Sequence, residues 1–471
     1  MTSMSPLRIS LALMVATALS GCGSLMETPY DRPALQLPAG WQQGSSADRA
    51  LPRTLDAASV KADAWWTVFQ EPELDRLIDR AFARNNGLAA AAIAVRRAQL
   101  QAGLAEDDTL PRLGSSTQVS RDRELADDTS ATSYSTNLTV SWELDLWGRL
   151  GRTLDAARFE AAATEQDRQA TALSLAATTA ELYWTHVYLT QRLALADASL
   201  DYARRIADIV DVRWRAGAVS DLDRLQARQN VESQEAARLL ILQSQVENDN
   251  ALSILFDAPP QPVDLARDRL PDGMLPAIPA GLPAGVLARR PDIRAAELRL
   301  RANLADIDAT RASYLPTFSL TGSLGGSSVA LRDLLANPVA TLGLGLTLPF
   351  LNWTERDLTI RTSEADYEAA VVNFRQTLYQ AFADTENALS ARQRRAERDL
   401  RLQAALEAAR AAEQIYETRY RAGAVDLQSW LDSQETRRTA ELNLLENRLE
   451  EIRAMITLYQ ALGGSATSAT P

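Results

Sequence analysis

Two hydrophobic patterns alternate along this chain. The first is a heptad spacing, typical of long packed helices, in which seam residues recur at alternating intervals of three and four. It runs from Thr179 to Val210 and again from Leu442 to Tyr459, and His186 lies in the first seam as a packing residue. No proline occurs between Arg152 and Arg215. About 60 residues with a rise of 1.5 Å each predict a helix roughly 90 Å long.

The second pattern is an apolar–polar alternation of period two, typical of strands. It predicts four strands, at about 112–121, 134–144, 316–325 and 339–349, of which the first has the poorest alternation. Each run has about 10 residues, the length of a tilted strand that crosses a bilayer. An ordinary half-buried sheet has the same period.

If these strands cross a membrane, the chain must form an oligomer, because a transmembrane barrel needs about eight strands. Two copies would supply eight strands and a filled interior, whereas three would supply twelve and leave room for a channel. The patterns alone leave both numbers open.

The chain contains an internal duplication. Arg213-Trp-Arg-Ala-Gly-Ala-Val219 returns as Arg419-Tyr-Arg-Ala-Gly-Ala-Val425, and Leu110-Pro111 returns as Leu315-Pro316. Several anchors at nearly one offset indicate two copies of one unit, each consisting of a helix, two strands and a long helical hairpin. The proline-rich stretch 258–283 separates the copies.

Composition removes several classes of function. The 471 residues carry a net charge of −12, which does not suit nucleic acid binding. With one His and one Cys, the chain cannot build a His/Cys metal centre, an internal disulfide or a Cys–His catalytic pair. An enzyme is therefore not favoured. Asp221-Leu-Asp223 offers two carboxylates but no further ligands for a divalent ion.

The first residues have the form of a secretory signal. One arginine precedes an apolar run from Ile9 to Leu19, which is too short for a permanent membrane span. Leu19-Ser20-Gly21-Cys22 then resembles the lipobox of bacterial lipoproteins, in which Cys22 would carry S-diacylglycerol and N-palmitoyl groups. Gly23 in place of Asp favours, by the same resemblance, delivery to the outer membrane.

Four motifs carry a wider resemblance. They are Trp65–Ile78, Ser141–Arg149, Arg289–Glu297 and Tyr314–Pro316. Together they resemble the TolC/OprM-type outer-membrane efflux factors, in particular the NodT-like lipoproteins of RND-type systems. The resemblance implies an α+β membrane protein in which three chains form a 12-stranded outer-membrane barrel, continuous with a periplasmic coiled-coil barrel. It further implies an adaptor protein and an inner-membrane RND-type pump as partners, small molecules as cargo, no catalysis and no cofactor besides the lipid.

The resemblance also implies a division of the chain. We expect a signal peptide (1–21), a lipidated and equatorial segment (22–71), a first repeat (72–257), a linker (258–283), a second repeat (284–464) and a tail (465–471). The hairpin tips fall at 213–223 and 419–432.

The tips are the candidate functional site. By resemblance, adaptor contact falls on Arg213, Ala216, Gly217, Arg419, Ala422 and Gly423. The periplasmic gate falls on Asp221, Asp223, Arg419, Tyr420, Arg421, Asp426 and Asp432. Under threefold symmetry an inward carboxylate becomes a ring of three that favours cations. The alternative for Asp221 and Asp426 is a helix cap or a solvated acid of the first turn, since Ser220-Asp221 and Asp426 stand where caps belong.

Two non-channel alternatives remain open. A periplasmic coiled-coil scaffold lipoprotein with a soluble sheet would show the same helix and strand periods. A periplasmic adaptor also has helical hairpins, although the two strand pairs and the full duplication speak against it.

Overall fold

The computed structural model describes residues 27–33, 64–125, 128–271 and 289–464. Cys22, the predicted signal peptide, the tail and most of the linker's second half lie outside the described residues. Within these ranges the chain consists of helices and one antiparallel sheet.

Each repeat contains a short helical region, two strands and a long hairpin. The helices are α1 (Pro72–Arg84), α2 (Asn86–Asp107), α3 (Arg149–Arg215), α4 (Asp221–Leu255), α5 (Pro291–Ser313), α6 (Trp353–Arg421) and α7 (Leu427–Ala461). The strands are β1 (Arg112–Glu124), β2 (Thr129–Leu144), β3 (Thr317–Ser328) and β4 (Val339–Thr347). Helices α4 and α7 have 35 residues each, and α3 and α6 have 67 and 69. The two hairpins are therefore nearly equal in length, as the duplication predicts.

The chain forms two compact units. Of the described residues, the sheet unit comprises 27–33, 92–125, 128–167 and Arg294–Thr377. The hairpin unit comprises 64–91, 168–271, 289–293 and 378–464 of the described residues. The long helices α3 and α6 each run from one unit into the other.

In the sheet unit, the strands pair in the order β1-β2-β3-β4, and every pairing is antiparallel. β1 extends three residues beyond its predicted end, because it pairs with β2 along its whole length from Arg112 to Glu124. Backbone pairing thus defines the strand whose apolar alternation is poorest. β1 and β4 lie at the two edges of the sheet.

The register sorts the side chains of the sheet onto two faces, since residues directly opposite each other in an antiparallel pair share a face. Leu113 is opposite Val140, Trp142 is opposite Leu320, and Leu320 is opposite Leu344. This apolar face is largely exposed in the single chain; Leu344, for example, is 71% exposed. The opposite face carries serine, threonine, asparagine and glycine.

The same sheet unit holds the short N-terminal segment 27–33. Thr28 donates two hydrogen bonds to the buried Asp308 carboxylate, from its backbone N–H at 2.8 Å and from its hydroxyl at 2.6 Å. Arg301 places its guanidinium 4.8 Å from the centre of the Tyr30 ring. These contacts fasten the segment to α5.

The hairpin unit has its main core around buried aromatic residues. Trp65 stacks on Tyr459 at 5.4 Å, and Tyr183 meets Trp184 edge to face at 5.0 Å. Leu445, Leu449, Ile452, Ile456 and Tyr459 of the second predicted seam are all buried here. The heptad pattern therefore marks residues that do pack.

His186 has a role beyond packing. It is 8% exposed, and its Nδ1 lies 2.9 Å from Oδ1 of Asp249 on α4. The other oxygen of Asp249 accepts from the backbone N–H of Val263 at 3.3 Å. The seam predicts the burial of His186, but it contains no signal for the carboxylate, which is 63 residues away.

No helix in the described ranges carries the long apolar stretch that crossing a membrane requires. The described residues also contain no cluster of three or more His, Cys, Asp or Glu side chains that could hold a metal ion.

Candidate functional site at the tips of the two hairpins

Both tips are helix ends closed by the same backbone motif. Gly217 and Gly423 have φ angles of +71°, in the left-handed region that favours glycine. Ala218 N–H donates to the Arg213 carbonyl at 2.9 Å, and Ala424 N–H donates to the Arg419 carbonyl at 2.9 Å. These bonds satisfy carbonyl groups that a helix end leaves unpaired. The repeated Arg-aromatic-Arg-Ala-Gly-Ala-Val sequence therefore encodes two helix stops.

After the first tip, helix α4 begins with a capping box. Ser220 caps α4: its hydroxyl accepts from the Asp223 N–H at 3.2 Å, and the Asp223 carboxylate accepts from the Ser220 N–H at 2.8 Å. Asp221 is the first residue of α4 and accepts from Arg224 Nε at 2.8 Å. Asp223 thus contributes to the cap, whereas Asp221 does not.

The second tip uses a single carboxylate as its cap. Asp426 accepts from the Ser429 N–H at 2.8 Å, and hydrogen bonds from Ser429 hold the pKa of Asp426 below its ordinary value. Asp432 is exposed and accepts from Gln428 Nε2 at 2.7 Å, one turn back on the same helix. In the described part of the chain, none of the four aspartates pairs with a residue of the other hairpin.

A small aromatic core joins the two tips. Tyr420 is 5% exposed and stacks on Trp430, with ring centres 5.0 Å apart and planes at 28°. Tyr202 of α3 meets Trp430 at a right angle, 6.3 Å between centres. Ile206, Val210, Ala227 and Leu427 complete the core.

One predicted site residue bridges the hairpins. The Arg213 guanidinium of the first hairpin lies 5.1 Å from the centre of the Tyr420 ring of the second. The structure thus brings Arg213 and Tyr420 together. Arg419 and Arg421 are exposed, and Arg421 pairs with Glu417 at 2.6 Å on its own helix. Ala216, Gly217, Ala422 and Gly423 are exposed at the turns.

Sequence reasoning missed Trp430 and Tyr202, which build this core. A signal was present, because Leu427, Trp430, Leu431 and Gln434 follow the i, i+3, i+4, i+7 spacing of a buried helix face. Burial raises the pKa of Tyr202, and the nearby Glu417 and Glu413 raise it further. Tyr202 and Trp430 contact each other across the two hairpins. Motifs within each tip do not reveal such a contact.

Comparison with known proteins places the chain in a family. A profile of the family described as "Outer membrane efflux protein" matches residues 77–256 and 282–464. The pyoverdine export outer membrane protein OpmQ of Pseudomonas putida is 32% identical over 92% of this chain and 93% of its own length. The outer membrane protein OprJ of Pseudomonas aeruginosa is 30% identical over 96% of this chain and 95% of its own length. Among solved structures, CusC matches with a TM-score of 0.81 at 26% identity, over 93% of this chain and 99% of the other.

The chain belongs to the outer membrane efflux protein family. It is the outer-membrane channel component of an efflux system, and it has the fold of the trimeric channels, with four strands and long helical hairpins in each chain. The predictions of fold class, efflux channel and outer-membrane location are confirmed. Members of the family are channels rather than enzymes, and the scaffold and adaptor alternatives are set aside.

Proposed function

We propose that three copies form a passive duct for small molecules, closed at its periplasmic end by the hairpin tips and opened during contact with a periplasmic adaptor and an RND-type pump. The observation that carries this proposal is the joining of the two tips by Trp430, Tyr420 and Arg213. A tip held by one small core can move as a unit. The chain performs no chemistry in this proposal, and the pump supplies the energy.

The gate combines a packed part and an acidic part. Tyr420 Oη and Trp430 Nε1 are buried and have no hydrogen-bond partner among the described residues. Buried polar groups nearly always find a partner, so a neighbouring protomer or an ordered water is expected to supply one. Arg419 and Arg421 are exposed next to Tyr420 and can reach such a neighbour.

Asp221 and Asp432 are the best placed acids for a ring of three carboxylates around the threefold axis. Neither serves as a helix cap, and within the described residues the Asp432 carboxylate accepts from Gln428 of the same helix. Asp223 and Asp426 combine a place in the gate with capping, so their substitution also weakens a helix start.

The gate is tested by planar-bilayer conductance of Asp432→Ala, alone and combined with Asp426→Ala. We expect a larger resting conductance and weaker block by multivalent cations, because each substitution removes three charges from the trimer. Asp208→Ala is the matched control, since Asp208 is also exposed and lies on α3 outside the gate set. Unchanged resting conductance and cation block in the double variant would remove both acids from the gate.

The turns are proposed as the adaptor contact. Ala216, Gly217, Ala422 and Gly423 are exposed and carry no side chain that would keep a partner's backbone away. Arg419 adds an exposed charge, whereas the Arg213 guanidinium is already engaged by Tyr420. Arg213 is therefore expected to act mainly through the tip core.

Cysteine cross-linking tests the adaptor contact. Cys22 is the single cysteine of the sequence, so Ala216→Cys and Ala422→Cys add one new reactive thiol each. Both should cross-link to the adaptor in cells, while Ala411→Cys, also exposed on α6, should not. Equal cross-linking at all three positions would refute a contact confined to the turns.

Cys22 is proposed as the lipid anchor, with N-palmitoyl and S-diacylglycerol groups. The support is the lipobox-like sequence and the position of segment 27–33. This segment begins five residues after Cys22 and is held to α5 by hydrogen bonds. Cys22→Ser should abolish incorporation of labelled palmitate, and a fully labelled variant would overturn the assignment.

The cargo is to be found by a deletion strain. Relatives are named for pyoverdine export and for cation efflux, so the panel includes siderophores and metal ions besides drugs. Sensitivity to a compound that returns to normal with the wild-type gene, but not with a tip variant, identifies a cargo. No altered sensitivity to any compound would count against export by this chain.

A further inference from the structure

The two faces of β1 carry opposite charges at one end of the sheet. This is the end where β1 is joined to β2 and β3 to β4, and it is called the loop end. Beyond Val119 the strand reads Arg121-Asp122-Arg123-Glu124. Successive side chains of a strand point to opposite faces. Arg121 is opposite Thr132 and Arg123 is opposite Ser130, which places both arginines on the apolar face; Asp122 and Glu124 lie on the polar face.

Side-chain contacts confirm this sorting. Arg121 donates to the Ser130 hydroxyl at 3.3 Å, and Thr117 bonds to Thr136 at 3.0 Å on the same face. Ser120 bonds to Ser133 at 2.7 Å on the opposite face. Arg121 and Arg123 therefore continue the face that carries Leu113, Val119 and Tyr134, beyond its last large apolar side chains.

The position of these arginines along the strand corresponds to the edge of the apolar band. On β2 the apolar face runs from Leu144 to Tyr134, about ten residue steps or about 34 Å at 3.4 Å per residue. A tilt of about 40° converts this to a depth of about 26 Å, close to the apolar band of about 25 Å of outer-membrane barrels. Tyr134 is opposite Val119, so Arg121 and Arg123 lie about 7 and 14 Å further along the strand, at the level of lipid head groups.

The β3–β4 loop adds to the same face. A Cβ on Gly326, which is opposite Thr136, would lie 2.3 Å from the Leu334 carbonyl oxygen, so the loop backbone passes closely over the apolar face there. The loop exposes Val329 and Leu335 to 78% and 75%, and the Arg332 side chain to 88%. Exposed apolar residues next to arginine are typical of a surface that lies at a membrane interface.

The loop end of the sheet is the cell-surface end, because the opposite end leads into the long helices, which are periplasmic in this family. We propose that Arg121 and Arg123, with Arg332 of the β3–β4 loop as a further exposed cation, bind the phosphate groups of lipid head groups in the outer leaflet. The planar guanidinium suits phosphate, since it offers two parallel N–H donors. Asp128 pairs with Arg123 at 2.8 Å through Nε, and Asp333 pairs with Arg332 at 3.5 Å; both carboxylates are exposed and are screened by solvent.

The test measures binding of bisphosphorylated lipid A to the purified full-length trimer in detergent. The double variant Arg121→Gln/Arg123→Gln should bind at least about tenfold more weakly, and Arg121→Lys/Arg123→Lys should keep part of the affinity because it retains the charge. Arg112→Gln is the matched control, since Arg112 lies on the same strand but on the polar face and at the opposite end. Migration of each variant as a heat-modifiable trimer shows that it has assembled.

Three outcomes would overturn the proposal. The first is equal affinity of the double variant and the wild type. The second is equal binding of lipid A without its phosphates, or displacement by millimolar inorganic phosphate, which would indicate a site for free phosphate. The third is loss of the trimer in both the Gln and the Lys variants, which would assign the arginines to contacts between protomers.

Discussion

The two hairpin tips carry nearly the same seven residues but place their aromatic residue differently. Trp214 of the first tip is 38% exposed, and Arg224 of its own hairpin covers it at 4.5 Å. Tyr420 of the second tip is buried between Trp430 and the guanidinium of Arg213. The first tip is therefore a capped turn on the surface, whereas the second is the packing centre of both.

This difference shows that duplication preserved the helix stop and left packing free to diverge. The stop depends on one glycine and two backbone hydrogen bonds, which are the same in both copies. The packing depends on Trp430, and the equivalent position of the first copy, Arg224, is charged. We expect the second hairpin to dominate the closed state of the gate, and the following substitutions test that expectation.

The largest effect is expected for Trp430→Ala. Removing a fully buried Trp costs about 3–5 kcal/mol in a protein core, and Tyr420 would lose its stacking partner. Faster amide hydrogen exchange over residues 419–432 and a raised resting conductance are the expected results. Trp214→Ala, the matched change in the other tip, should alter both much less; equal effects would contradict the asymmetry.

A smaller and symmetrical effect is expected for Gly217→Ala and Gly423→Ala. Nothing lies within 4 Å of an added Cβ at either glycine, so the cost is the left-handed backbone alone, about 1–2 kcal/mol. Hydrogen exchange at the start of α4 and α7 should accelerate to a similar degree in the two variants. A much larger response at Gly423 would show that the stop and the aromatic core are coupled.

Acidification should weaken the second tip through Asp426. Hydrogen bonds from Ser429 lower the pKa of Asp426. The cap therefore stabilises α7 fully at pH values above the ordinary pKa of Asp, and this stabilisation is lost as the pH falls through the lowered pKa. The protection factors of the amides at the start of α7, which are relative to intrinsic exchange at the same pH, should therefore fall in acid. Asp426→Ser retains a capping hydroxyl without the titration, and an identical acid response in that variant would exclude Asp426 as the cause.

The smallest effect is expected for Asp221→Ala. Its ion pair with Arg224 is exposed and spans one helical turn, a geometry that contributes about 0.2–0.5 kcal/mol. Stability of α4 should hardly change, so any clear change in cation block would reflect the charge itself. Unchanged stability together with unchanged cation block would leave Asp221 as an ordinary surface residue of the first tip.

Much of the fold was predictable from local pattern. Heptad spacing identified the packed face of α7, and the leucine–glycine alternation identified β4. β1 was harder to predict, because its many polar and charged side chains obscure the apolar–polar alternation, and the strand is defined by its pairing with β2. The site was predictable in part: the glycines and caps follow from sequence, whereas the contact between Arg213 and Tyr420 joins residues 207 positions apart.

The sequence by itself determined the features that depend on near neighbours in the chain. These are the helix stops at Gly217 and Gly423, the caps at Ser220 and Asp426, the two sheet faces and the repetition of one unit. Tertiary structure alone decided which of two similar tips is buried, and it paired His186 with Asp249. The physical reason is that a turn or a cap is satisfied within a few residues, while burial and ion pairing depend on which distant segment comes to lie alongside.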